Sequence, residues 1–157
     1  LLRAYSFLGC IEASLAMGAF FWSWNQSGYS LPDIQQASAM ILDRTASPQL
    51  MAVYQHATTM ALASIIACQM GNILVCRSEY QPFWHIPWKS NVLIFWGLGT
   101  ELLIALALLY VPAVAAVFMT RPLGGMDLAV LAVCPVILIA AEELRRSMVR
   151  RLWPQNN

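Results

Sequence analysis

Charge is what this chain has least of. Asp, Glu, Lys and Arg make up 11% of its 157 residues, where a soluble globular domain carries roughly 25%. A net charge of +1 supplies no general basic field, so nucleic acid is not expected as a partner. Cysteine is sparse too: Cys10, Cys68, Cys76 and Cys134 lie in or beside apolar runs. No two of them have the close spacing of a zinc site, and His56 and His85 do not complete one. Buried small hydrophobes are the expected role, not a disulfide framework. The sequence has no phosphate-cradling glycine loop, no nucleophile paired with a base and no transition-metal ligand cluster. Alone, the chain is expected to catalyse nothing and to hold no cofactor. It opens Leu1-Leu2-Arg3, without an initiator Met or a signal-peptide pattern, and is expected to be a piece of something longer.

Apolar length is what the chain has in abundance. Hydrophobic residues make up 59%, and the mean hydropathy is +0.60. A compact soluble domain of this size has too much surface to hide that share, so a lipid bilayer must be the solvent for much of it. Crossing a hydrocarbon core of about 30 Å takes roughly 20 apolar residues in a helix. Four segments reach that length, which predicts an all-α polytopic membrane protein with a single transmembrane domain over 1–157. The spans are expected at 5–24, interrupted only by Glu12; 52–76, free of Asp, Glu, Lys and Arg; 91–111, interrupted only by Glu101; and 128–147. The last has a short charge-free part, so Pro135 is expected to kink it and its basic end to run into the interface.

Four spans put both termini on one side of the membrane. That side and the 77–90 loop hold Arg3, Arg77, Lys89, Arg145, Arg146, Arg150 and Arg151, while the other side holds only Arg44 and Arg121. Lys and Arg concentrate on the cytoplasmic side, so both ends are expected to be cytoplasmic. Trp22, Trp24, Tyr54 and Tyr110 mark the outer boundary as interfacial aromatics, and Trp84, Trp88 and Trp153 the inner one. The outer loop, 25–49, is polar and contains Pro32-Asp33, a start signal for a short surface helix. The 77–90 loop contains Gln81-Pro82 and Ile86-Pro87 and is expected to be extended.

Ionisable groups in mid-membrane are costly and mark functional candidates. Glu12 and Glu101 are the two carboxyls of this kind, and Gln69 and Asn72 add strongly polar amides on one face of the second span. Counted at 1.5 Å per residue from the cytoplasmic markers, Glu12 lies about 13 Å deep, Gln69 about 12 Å, Asn72 about 7 Å and Glu101 about 15 Å. Carboxylate and amide oxygens suit hard alkali and alkaline-earth cations, and a carboxyl in low dielectric is equally suited to carry a proton. The plainer alternative is that Gln69 and Asn72 glue helices together and that Glu12 packs as a neutral acid. Glu142 and Glu143 reach Arg145 and Arg146 at spacings of three and four and are expected to form an interfacial ion-pair cluster.

Several strings occur in a recognisable order. Leu2-Arg3-Ala4-Tyr5-Ser6-Phe7-Leu8-Gly9 is followed by Ile11-Glu12-Ala13 and Phe20-Phe21. Thr59-Met60-Ala61-Leu62 leads to Gln69-Met70-Gly71-Asn72, and Glu101 precedes Tyr110-Val111-Pro112 and Arg121-Pro122-Leu123. Glu142-Glu143-Leu144-Arg145-Arg146 ends the series. Together they resemble the last four of the ten membrane helices of P-type cation-transporting ATPases, of the calcium or sodium/potassium-like branch. The resemblance implies a support part of the membrane domain, which braces the ion-translocating helices and lends polar side chains to or near the cation site. It implies as partners the lipid bilayer, six further helices, the cytoplasmic domains of the same pump and a cation, Ca2+, Na+, K+ or H+. ATP and Mg2+ would belong to the parent protein, and the cell membrane is the expected location. Gln69 falls where calcium pumps of the sarcoplasmic type have Glu and sodium/potassium pumps have Gln. Asn72 falls where the latter have Asp, Glu101 matches their ninth-helix Glu, and Glu12 replaces a Gln; the ion stays open. A stand-alone ion or proton carrier, and a non-transporting scaffold using Gly9, Ala13 and Ala16, are the alternatives.

Overall fold

A computed structural model describes residues 2–43, 45–76 and 92–152, excluding the side chains of 2–5, 31 and 150–152. The expectations for Arg44, for the 77–90 loop with its basic and Trp residues, and for Trp153 lie outside the described residues. What is described is helical: α1 (Leu2–Gln26), α2 (Leu31–Leu42), α3 (Pro48–Val75), α4 (Leu93–Tyr110), α5 (Pro112–Phe118) and α6 (Gly125–Leu152). Four of these, α1, α3, α4 and α6, are long and apolar enough to cross a membrane. The chain is an all-α, multi-pass integral membrane protein.

Local chemistry explains where the helices start. Gly28, with φ of +84°, supplies the left-handed turn that ends α1. Ser30 is extended before α2, and Asp33 Oδ2 accepts from both its backbone N–H, at 2.7 Å, and its hydroxyl, at 2.6 Å. Ser47 Oγ accepts from the Leu50 N–H at 3.2 Å, and Pro48 takes the first position of α3, where no N–H is needed. Pro112 does the same for α5 after an extended Val111, so the third span is followed by a second short helix that its apolar run does not announce.

Helix α3 is the pillar, with α1 and α6 packed most extensively on it and α4 more lightly. Three buried clusters line this bundle from end to end. Trp24, Ala37, Leu50 and Ala57 fill the end capped by α2. Ala19, Met60, Ala63, Leu109, Leu123 and Leu131 follow, and then Leu8, Cys68, Cys134 and Leu138. The starts of α1 and ends of α3 and α6 therefore share the opposite, Arg-rich end.

Between lipid-exposed helices the hydrophobic effect gives little, so association depends on close contact. Gly71 supplies it, because a Cβ there would lie 3.0 Å from Pro135 Cβ and 3.1 Å from its Cα. Pro135 thus sits inside a continuous α6 at a point of close approach to α3. Trp24 departs from its expected interfacial place. It is 1% exposed and lies against Phe20 and Tyr29, because α2 folds back over the end of α1. Of the small residues proposed as a scaffold face, Ala16 is buried within the bundle, while Gly9 and Ala13 are exposed.

Candidate functional site

The four polar residues singled out in mid-span separate into a pair and two individuals. Gln69 on α3 reaches across to α1, where its Nε2 donates to Glu12 Oε1 at 2.9 Å. Asn72, one turn further, keeps to its own helix: its Oδ1 accepts from the Cys76 thiol at 3.1 Å. Gln69 is exposed along the bundle's flank, and Glu12 and Asn72 are half-buried.

Glu101 sits on α4 and bonds to neither. It lines a crevice of about 490 Å³ between α4 and α3, with Trp96, Thr100 and Ile104 on its own helix and Ile66 opposite. Ile66 is one turn from Gln69, so the two sites are close in depth but face different neighbours. Glu101 Oε2 is buried and has no hydrogen-bond partner among the described residues. Thr100, the adjacent hydroxyl, is spent on the Trp96 carbonyl at 2.8 Å. A buried carboxyl oxygen without a donor or cation is costly, which makes this the least satisfied polar group of the four.

The expected charged cluster near the end of α6 forms and reaches further than spacing indicates. Glu142 pairs with Arg145 and, at 3.0 Å, with Arg146, while Arg146 also meets Glu143 at 3.2 Å. Glu142 and Arg146 are each 3% exposed. Arg146 additionally donates to the Val75 carbonyl at 2.6 Å, capping the final turn of α3 from α6. Within the cluster, Glu142 and Arg146 are buried between helices and Arg145 and Glu143 are part-exposed.

A constellation that spacing arguments miss lies at the α2 end. Ser23 Oγ on α1 is 2.8 Å from His56 Nδ1 on α3, and His56 Nε2 is 3.1 Å from Asp127 Oδ2 in the first turn of α6. The same Asp127 oxygen accepts from the Gly124 N–H at 2.8 Å. With its proton on Nε2, His56 donates to Asp127 and accepts from Ser23, joining three helices. The order of groups is that of a proton relay to a nucleophile, but Ser23 is 1% exposed and no substrate reaches it. It is a tie. Arg121 extends it, donating from its backbone to Thr59 Oγ1 at 3.0 Å and from Nε to Gln55 Oε1 at 3.3 Å, and Tyr110 Oη donates to the Leu123 carbonyl at 3.0 Å.

Four apolar spans packed around a pillar helix define a polytopic, helical membrane domain. The chain belongs to the family described as "Cation transporting ATPase, C-terminus", whose profile matches residues 1–148. It is 27% identical over 124 residues to "Probable calcium-transporting ATPase" of Trypanosoma brucei brucei, covering 79% of this chain and 12% of that protein. It is 27% identical over 94 residues to "Calcium-transporting ATPase 1" of Saccharomyces cerevisiae (60% and 10%). It is 29% identical over 86 residues to "Calcium-transporting ATPase type 2C member 2" of Homo sapiens (55% and 8%). The matched part of these relatives is about a tenth of their length.

Proposed function

We propose that this chain braces the ion-translocating helices of an ATP-driven cation pump in the cell membrane, with both of its ends cytoplasmic. Glu101, Gln69, Asn72 and Glu12 contribute to or border the cation path. The observation that supports this most directly is Glu101 Oε2, buried in a helix crevice with no donor among the described residues. A hard cation or a proton would supply what that oxygen lacks. Calcium is the cargo named for the relatives, and we take it as the first of the four candidates, ahead of Na+, K+ and H+. Six further helices and the cytoplasmic domains would complete the pump.

ATP and Mg2+ are expected of the parent protein. In this reading both belong to the domains that phosphorylate the parent protein.

Cation-stimulated ATPase of the full-length protein provides the test. Glu101→Ala is expected to lower the stimulated rate or raise the half-saturating cation concentration. Unchanged turnover together with unchanged cation affinity would remove Glu101 from the site.

A further inference from the structure

We propose that Glu12 is a positioning residue for the cation path: it fixes which end of the Gln69 amide faces outward from the bundle. The inference rests on the site reading above and assigns Glu12 a task different from that of a ligand.

A primary amide has two unlike ends. It offers two donors at its nitrogen and an acceptor at its oxygen, and the two point away from one another. A cation binds the oxygen and is repelled by the N–H groups. Gln69 is therefore useful to a cation in only one of its two flipped orientations, and left to itself at an exposed position it would sample both. A carboxyl oxygen of Glu12, 2.9 Å from Gln69 Nε2, breaks that symmetry by accepting a hydrogen bond. The nitrogen is held against α1, and Oε1, the other end of the amide, is not the atom that meets Glu12. No described residue donates to that oxygen, and Gln69 is exposed on this chain's flank.

A glutamine at position 12 would not do the same. Its amide can either accept from Gln69 or donate to it, so it tolerates both orientations. A carboxylate only accepts. The neighbouring amide makes a useful contrast, because the Asn72 oxygen is already occupied by the Cys76 thiol at 3.1 Å. Of the two amides on this stretch of α3, Gln69 is the one whose oxygen is left for an outside partner.

The experiment measures cation-stimulated ATPase of the full-length protein in membranes, reading the half-saturating cation concentration separately from the maximal rate. Three single variants are compared, Glu12→Gln, Glu12→Asp and Gln69→Leu, with the exchanged pair Glu12→Gln/Gln69→Glu. Partners that orient metal ligands typically change affinity 10–100-fold when removed, so Glu12→Gln is expected to raise the half-saturating concentration about tenfold, with a smaller change in maximal rate. Glu12→Asp keeps an acceptor and should fall between it and the parent. The exchanged pair should recover affinity, since a carboxylate at position 69 offers oxygen in either orientation while the amide introduced at position 12 donates to it.

Outcomes separate the two ideas. If Gln69→Leu raises the half-saturating concentration and neither Glu12 variant does, positioning is wrong and the site stands. If Gln69→Leu leaves it unchanged, the site itself is wrong. If both Glu12 variants lower folded yield and maximal rate in parallel without moving the half-saturating concentration, Glu12 is a packing contact and the proposal fails.

Discussion

At the α2 end of the bundle, Asp127 accepts from Gly124 and faces His56, which in turn faces Ser23. Halfway down, Glu101 Oε2 is buried with no partner among the described residues, and the Gln69 oxygen has no donor from them. At the Arg-rich end, Glu142 and Arg146 are again enclosed and joined to α3. The charged groups at the ends are thus paired within the chain, although Trp24 Nε1 is buried at the α2 end without a hydrogen-bond partner among the described residues, whereas the Glu101 carboxyl in the middle is not paired. Polar satisfaction at the ends is a fold requirement, because an orphaned group in a buried, low-dielectric setting costs several times what a paired one returns. The unpaired carboxyl in the middle is where, on the proposed reading, another element or a cation would act.

The largest expected effect tests the Arg-rich end. Removing one member of a buried ion pair leaves the other charge uncompensated, at a cost of about 3–5 kcal/mol. Glu142→Ala should therefore sharply lower the thermal unfolding midpoint of the detergent-purified protein. The double change Glu142→Leu/Arg146→Met should recover much of the loss, since apolar replacement of a buried pair is often neutral or better. A Glu142→Ala midpoint equal to the parent's would mean that the cluster is solvated and that the contrast with the middle is false. The tie at the other end comes next. His56→Ala strands the Asp127 carboxyl and the Ser23 hydroxyl, a loss of about 1–3 kcal/mol. The measurement is the same midpoint, with Asp127→Asn as the milder partner; cation affinity should stay as in the parent.

Span existence was legible because bilayer thickness imposes a length, and apolar length can be counted directly. Level along the bundle was legible only relative to a neighbour: Glu101 lines a crevice with Ile66, one turn from Gln69. Direction around the helix axis was not. Gln69 turns to α1 and Glu101 to the α3–α4 crevice, a choice set by which helices pack on α3. The tie was hidden by separation, since Ser23 and His56 are 33 residues apart and His56 and Asp127 71. Trp24 was read as an interface residue because nothing in its own neighbourhood announces α2 folding over it. Pro112 was ambiguous in a different way, as a proline closes one helix and opens the next with equal ease. Arg146 was paired correctly by its spacing to Glu142, but its bond to the Val75 carbonyl depends on α3 ending beside it.

For Glu101 the expected sign reverses. If the middle is unsatisfied for the sake of transport, relieving it should not harm the fold. Glu101→Leu exchanges a buried oxygen without a partner for apolar surface in a crevice lined by Ile66 and Ile104. Its effect on the unfolding midpoint should be neutral or stabilising, by up to about 1 kcal/mol, while cation-stimulated turnover falls. A Glu101→Leu protein as unstable as Glu142→Ala would place Glu101 with the structural groups, and the contrast between ends and middle would collapse.

The smallest effect belongs to the water-exposed cap of α2. Asp33 opens α2, and hydrogen bonds from the Ser30 hydroxyl and backbone hold its pKa below the ordinary 3.8. A carboxyl whose folded pKa is depressed stabilises the fold fully above its unfolded value and loses that contribution as pH falls through the folded one. The start of α2 should therefore be firm at neutral pH and fray at pH values below 3.8. Amide hydrogen exchange across α2 is the measurement, and Asp33→Asn should exchange faster than the parent at neutral pH and lose the acid dependence. Ser23, one turn before the end of α1, belongs instead to a tie that joins three long helices through the part-exposed His56 and Asp127. Exchange in α2 should consequently rise before the amides around His56 respond. Simultaneous loss of both would show that the cap and the tie unfold as one unit, and that the α2 end is a single cooperative element.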